Sequence, residues 1–412
     1  MLPGLSKFTL CIPSVALMLT VAPAQTTPVL PQAATISTQT VFPQISPSRI
    51  SADVTALLAN GPRVAGSSAL QKAGDYLAAQ YQASGYETRV ETFEYSKFFD
   101  EGSKLSIGAK VLEGIALDGS SGGEFSAAMV AVAGTGTLEE FRAADVSGKI
   151  AVVKRGTLRF VQKAQNALQA GARGLIIVNN APGNLRGGTL GAEVSIPVLS
   201  VSSADGASLL EGSLGQATLS VKAGRRTVLG RNLIAALPGV TAPTVLLGAH
   251  YDSVQGAPGA NDNASGTATV LELARRAANT PAAKSAWFVA FDGEEDGLRG
   301  SRAFVQAHGV LVKGLSAMLN FDMVGVSITP LSVGGTVALL ERAEKVVPNL
   351  KRLNDGSSGS DHASFLEAGV AALFFYRGMD PNYHQPGDTV VEPGALEDTV
   401  VAGLKITNEI LR

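Results

Sequence analysis

Cysteine is nearly missing from this chain: 412 residues contain one, Cys11. It falls in an N-terminal stretch that reads as an export signal. Lys7 precedes an apolar run from Phe8 to about Val21, and Ala22-Pro23-Ala24 supplies an A-x-A cleavage pattern. Cleavage after Ala24 leaves a mature chain without thiols, which excludes disulfides and cysteine catalysis. Most of the apolar run follows Cys11, which argues against a lipoprotein reading. Charge is also sparse, at 17% of residues with a net charge of −2 and no basic block. Nothing therefore recommends a nucleic acid or an anionic membrane surface as a partner. Pro13 interrupts a run too short to span a bilayer easily. The expectation is a secreted, periplasmic or extracellular protein with no stable membrane insertion once the signal is removed.

What is present is ample apolar material, 45% of the chain, enough for two domains with real cores. Residues 25–47 are rich in Thr, Gln and Pro without periodicity and read as a flexible linker or pro-segment. From about Pro47 the pattern turns helical: Ile50, Val54, Leu57 and Leu58 share one helical face. A second helix is predicted from Ser68 to Ser84, ended by Gly85. Residues 86–96 alternate as an exposed-edge strand should.

Residues 107–225 have another texture, rich in Gly, Ser and Val. Strands are predicted at Lys149–Lys154, Leu175–Val178 and Ile196–Val201, and a helix at Phe160–Ala170. The residues Gly148-Lys149-Ile150-Ala151, Arg155-Gly156, Phe160, Lys163, Ala170-Gly171-Ala172 and Ile196-Pro197 resemble the protease-associated (PA) domain, a β-rich module inserted in several exopeptidase families. It carries no catalytic cluster, so a structural or substrate-gating role is the default.

After Arg231-Asn232 strands and helices alternate. Strands are predicted at Val245–Ala249, Trp287–Phe291, Met318–Phe321 and Ala371–Tyr376, and helices at Ala264–Ala278 and from about Ala395 to Leu411. This rhythm predicts an α/β fold, a mixed and mostly parallel sheet with helices on both faces.

His250, Asp262, Glu295, Asp322 and His384 each sit just after a predicted strand or in the loop beyond it. Loops at the carboxyl ends of parallel strands meet in one crevice, so these five should converge. Two histidines and three carboxylates suit zinc, and they suffice for two ions if one carboxylate bridges. Asp252, two residues beyond His250, is placed to hold the other imidazole nitrogen. Asp262 and Asn263 precede a helix, where capping and ligation can coexist. Glu294 and Glu295 repel one another unless something cationic offsets them. Next to a metal, one can ligate while its neighbour handles the proton of bound water. His308 reads as a surface or helix-capping residue.

The order of H-x-D at His250, D-N-x-x-G at Asp262, E-E at Glu294, D-M-V-G at Asp322 and Y-H-x-P-x-D-T at Tyr383 resembles the M28 zinc aminopeptidases. Arg63-Val64-Ala65-Gly66-Ser67 is similar to that family's opening segment. The likeness covers about 50–105 and 226–412. It implies a zinc-dependent exopeptidase fold over 48–106 and 226–412, with the PA domain at 107–225 inserted. It also implies two zinc ions bridged by Asp262, with His250 and Asp322 on one and Glu295 and His384 on the other. Glu294 would be the general base, Tyr383 would help stabilise the tetrahedral intermediate, and the substrates would be peptides cut at the amino end. The Ser360-Asp361-His362 element resembles one in the family, but five ligands suffice and His362 is assigned to the pocket wall. A carboxypeptidase of the same superfamily would use the same metals. A glutaminyl-cyclase-like transferase shares the fold with one zinc, and Tyr383 favours the peptidase over it. A receptor on a degenerate scaffold would have lost ligands, and none is lost here.

Overall fold

The computed structural model describes residues 47–181, 188–211, 213–348, 350–353 and 359–412. The signal-like residues 1–24 with Cys11, and the 25–47 segment up to Ser46, lie outside the described residues. The main sheet has eight strands in the order Glu87–Asp100, Ala223–Ala236, Ala286–Phe291, Val245–His250, Ala317–Phe321, Ala372–Tyr376, Ser332–Gly335 and Lys351–Arg352. The four in the middle run parallel, and antiparallel neighbours flank them. Ala286–Phe291 and Ala317–Phe321 are buried along their whole length, as unbroken apolar runs require when both sheet faces are covered.

The covering helices divide as strand alternation dictates. Trp287, Val289 and Phe291 point to Phe304 and Phe365, which belong to the helices Arg299–Ala307 and His362–Glu367. Phe288 points the other way, to Tyr81 and Tyr86, with ring centroids at 6.5 and 5.4 Å. On that face lie the helices Pro47–Leu58, Ser68–Ala83, Gly266–Ala277 and Pro393–Ile410. The mixed α/β sheet read from the sequence is thus the observed fold.

The predicted edge strand is longer than its alternating run. It spans Glu87–Asp100 and pairs throughout with Ala223–Ala236, from Glu87 opposite Ala236 to Asp100 opposite Ala223. Arg226 stacks over Phe99 at 3.7 Å, a cross-strand contact that helps extend the ladder beyond residue 96.

Between these two strands the chain builds a second eight-stranded sheet. It contains the expected strands at Ile150–Lys154, Gly174–Val178 and Val198–Val201. Alternate residues feed two cores. Val153 and Ile177 face Phe141 and Ala164, and Val152 and Ile176 face Leu219. The short helix Leu138–Ala143 opens on a capping box. Thr137 Oγ1 accepts the Glu140 N–H, and Glu140 Oε2 accepts those of Thr135, Gly136 and Thr137 at 3.0, 2.7 and 2.8 Å.

Candidate metal centre

His250 closes the central strand Val245–His250, and Asp322 directly follows the neighbouring strand Ala317–Phe321. Glu294 and Glu295 lie in the turn after Ala286–Phe291, and His384 in the loop after Ala372–Tyr376. Because the four strands are parallel, all these carboxyl-terminal ends open on one edge. Asp262 reaches the same point from the turn Ala260–Ser265.

The carboxylate of Asp262 lies between the two histidines. Its Oδ1 is 3.3 Å from His250 Nε2 and its Oδ2 is 3.2 Å from His384 Nε2. Asp322 Oδ1 stands 3.4 Å from His250 Nε2, and Glu295 Oε2 stands 3.0 Å from His384 Nε2. His250, Asp262 and Asp322 form one group able to hold an ion; Asp262, Glu295 and His384 form another. All five sequence candidates therefore come together, with Asp262 common to both groups.

The donor set fits a cation. Nε2 of both histidines, Glu295 Oε1 and Asp322 Oδ1 are buried atoms without a hydrogen-bond partner among the described residues, an expensive arrangement unless an ion engages them. The electrostatics agree. Burial works against a charged imidazole, yet the surrounding carboxylates outweigh it, raising His250 well above the ordinary histidine value and His384 to about 9. Burial likewise works against an ionised Asp262, and its two imidazole contacts hold it below the usual carboxylate range. Burial and then Asp262 push Glu295 up to about 7. The pocket favours positive charge, and two imidazoles with three carboxylates are a zinc-type donor set.

Asp252 does more than face His250 Nδ1 at 3.5 Å. Its two oxygens also accept the backbone N–H groups of Glu294 and Glu295 at 3.2 and 3.3 Å. One buried carboxylate thereby orients a histidine and the acidic turn together. Glu294 Oε2 lies 4.0 Å from His250 Nε2. Burial raises the Glu294 carboxyl well above its ordinary value, and Asp322, Asp361 and Glu295 add to the shift while His250 opposes it. The Tyr383 ring stacks on His384 with centroids 3.7 Å apart. Burial and the nearby carboxylates raise its phenol, so the hydroxyl keeps its proton.

In the segment where capping and ligation were expected to coexist, the two tasks fall to different residues. Asp262 has extended backbone angles, φ −111° and ψ 91°, and the helix proper is Gly266–Ala277. Asn263 does the capping, its Oδ1 accepting from Gly266 N at 2.8 Å. Gly266 is obligatory there, because a Cβ would sit 2.1 Å from Phe321 O. The same turn is laced to the loop carrying Asp322. Asn263 donates to Phe321 O at 2.9 Å, Asn261 Oδ1 accepts from Gly325 N at 2.9 Å, and Ser265 Oγ accepts from Val324 N at 3.1 Å.

His362 lies outside both groups, stacked on Phe374 at 4.6 Å. His308 caps the helix Arg299–Ala307 and meets Glu91 at 2.7 Å.

Two residues to which the sequence attached no role hold the centre from behind. The fully buried Arg63 guanidinium donates to the carbonyls of Tyr251, Pro258 and Gly259 at 2.7, 2.7 and 2.8 Å, clamping the loop that joins His250 to Asp262. Asp388 accepts the N–H groups of Asn261 and Asp262 at 2.7 and 3.1 Å. Both belong to quoted motifs, but their partners are main-chain groups that no residue pattern reveals.

A parallel-centred α/β sheet with such a cluster at its carboxyl edge is the setting of a metal-dependent enzyme. Residues 232–400 match peptidase family M28 and residues 121–209 match the PA domain. Aminopeptidase YwaD of Bacillus subtilis is 34% identical over 362 residues, covering 80% of this chain and 76% of that protein. The probable lipoprotein aminopeptidase LpqL of Mycobacterium tuberculosis is 32% identical over 388 residues, covering 80% and 77%. The solved structure of BSAP, a zinc aminopeptidase from Bacillus subtilis, superposes with a TM-score of 0.75 at 30% identity, covering 89% of this chain and 95% of that one. The chain belongs to peptidase family M28.

Proposed function

We propose that this protein is a di-zinc aminopeptidase that acts on peptides outside the cytoplasm. The observation that carries the reading is Asp262, whose two carboxylate oxygens face His250 and His384 separately at 3.3 and 3.2 Å. His250, Asp262 and Asp322 would hold one zinc, and Asp262, Glu295 and His384 the other. When bound, zinc supplies Lewis-acid polarisation of the scissile carbonyl and lowers the pKa of water.

The remaining work belongs to the chain. Glu294, only slightly exposed and with raised proton affinity, suits a general base that takes a proton from the attacking water and returns it to the leaving amine. Asp252 fixes the backbone on which Glu294 rides. Tyr383, kept protonated by its surroundings, suits donation of a hydrogen bond to the oxygen that gains charge in the tetrahedral intermediate. The names of the relatives, aminopeptidases in both proteins above, support cleavage at the amino end. We read residues 48–106 and 226–412 as one peptidase domain and 107–225 as the inserted PA domain. Export rests on the signal-like residues 1–24. It is supported by the word lipoprotein in the name of one relative, and no described helix is long and apolar enough to cross a membrane.

Hydrolysis of matched free-amine, N-acetylated and C-amidated peptides tests the proposal. Free-amine and amidated peptides should lose their first residue and N-acetylated ones should resist. Removal of the last residue from an N-acetylated peptide would replace this reading with a carboxypeptidase.

A further inference from the structure

A cleft of about 940 Å³ runs from the metal centre to the inserted module. Glu295 and His384 line it together with the edge-strand residues 96–100 and Gly114–Ala116 of the module, which joins that strand where Ala116 N donates to Asp100. The volume is at the upper end of the range for ligand pockets. Nearly every charged group on its walls is already matched. Lys97 pairs with Asp296 at 2.8 Å, and Arg225 with Asp118 at 2.5 Å. Asp100 accepts from Ser103 Oγ at 2.6 Å and from Ala116 N at 2.7 Å.

Arg299 is the exception. It is exposed on the cleft wall, and among the described residues no carboxylate lies within ion-pair distance of it. Its Nε donates to Asp296 O at 2.9 Å, and its guanidinium stands 5.7 Å from the centre of the Tyr95 ring. These contacts orient the side chain and leave both Nη groups without a carboxylate. The turn 294–298 also folds back, so that Arg299 N bonds Gly293 O at 2.9 Å. The backbone of Arg299 is thereby held beside the turn carrying Glu294 and Glu295, and Arg299 and Glu295 line the same cleft, a span that a few extended residues at about 3.3–3.6 Å each could cover.

We propose that Arg299 binds a carboxylate on the leaving side of the peptide, one to three residues beyond the scissile bond. This rests on the aminopeptidase reading. A guanidinium with two free Nη groups matches a carboxylate in bidentate fashion. That carboxylate is either the terminal one of a di- to tetrapeptide or an Asp or Glu side chain in a longer substrate.

The test compares kcat/KM for peptides sharing one amino-terminal residue. A tripeptide acid is set against its amide, and amidated peptides with Glu at the second, third or fourth position against their Gln counterparts. An aminoacyl p-nitroanilide, which has no carboxylate, reports amino-end hydrolysis by the wild type. The wild type should prefer the carboxylate partner of at least one pair by roughly tenfold, through KM. The acid pair marks a terminal carboxylate and the Glu pairs a side chain. In Arg299→Gln the ratio should fall toward one, and Arg299→Lys should keep part of it, which also guards against a misfolded variant. A wild type that cleaves the anilide but shows no preference in any pair overturns the inference alone. So does a preference that survives in Arg299→Gln. An inert anilide, together with carboxyl-end trimming of an N-acetylated peptide, overturns the inference and the aminopeptidase reading together.

Discussion

Asp388 grips the backbone of Asp262 from behind, accepting the Asp262 N–H at 3.1 Å and that of the preceding Asn261 at 2.7 Å. The carboxylate common to both ligand groups thus owes its position to a second carboxylate that touches neither histidine. Asp388→Ala leaves two buried N–H groups without partners, at a cost of about 1–3 kcal/mol each. Zinc affinity should fall about 10- to 100-fold, measured by competition with a chromogenic chelator. Unaltered affinity in a folded variant would show that Asp262 holds its place without this support.

Glu294→Gln keeps the shape of the side chain and removes its basicity. Zinc content should stay near two per chain, while kcat falls by about 10²- to 10⁴-fold. Metal analysis beside steady-state kinetics separates the two effects, and retained turnover would remove Glu294 from the base role.

Chelation should abolish activity and added zinc should restore it. The same treatment should lower thermal stability, because a ligand bound only by the folded state stabilises it by about 4 kcal/mol at a thousand times its Kd. Melting curves with and without zinc check this independently of turnover. Coincident curves would argue against tight binding at this cluster.

Glu140 gives the inserted module a dependence on pH. The backbone N–H of Thr137 contributes most and, with those of Gly136 and Thr135, outweighs the opposing effect of burial, holding its carboxyl below the ordinary value. A depressed folded pKa contributes stability above the unfolded value of about 4.3, and that contribution is lost as pH falls through the folded value. Glu140→Gln should therefore lower the module's resistance to urea at pH 7, with the gap to wild type closing in strong acid. Hydrogen exchange in the helix Leu138–Ala143 reads this locally. A gap independent of pH would show that the carboxylate charge is not what matters.

The five ligand candidates were legible because each follows an apolar run, and parallel strands bring such positions to one edge. Glu294 and Glu295 stood out as two adjacent acids at a strand end, a pattern that calls for a neighbouring cation. Other features were hidden for reasons of distance. Arg63 meets its carbonyl partners across 188 to 196 residues, and Asp388 meets backbone groups across 126 and 127. Neither partner has a side chain to search for. The capping preference of Asp and Asn marked the segment in which capping and ligation coexist, but not which of the two residues does which. Only the fold tells that Asp262 turns toward the histidines while Asn263 turns toward the helix. The edge strand outran its alternating pattern because its partner continues alongside it to Ala223.

The long ladder has a bearing on how such a protein could be assembled. Asp100 and Ala223, where the chain leaves the main sheet for the second sheet and comes back, are direct partners in register. A two-residue hairpin turn could join them, and the main sheet would keep all eight strands and every ligand candidate. What would go is the part of the cleft lining that the module supplies, Gly114–Ala116 among it. The reactive edge and this part of the passage leading to it are therefore written in separable lengths of chain. Exchanging the module would change that part of the lining and leave every ligand candidate in place.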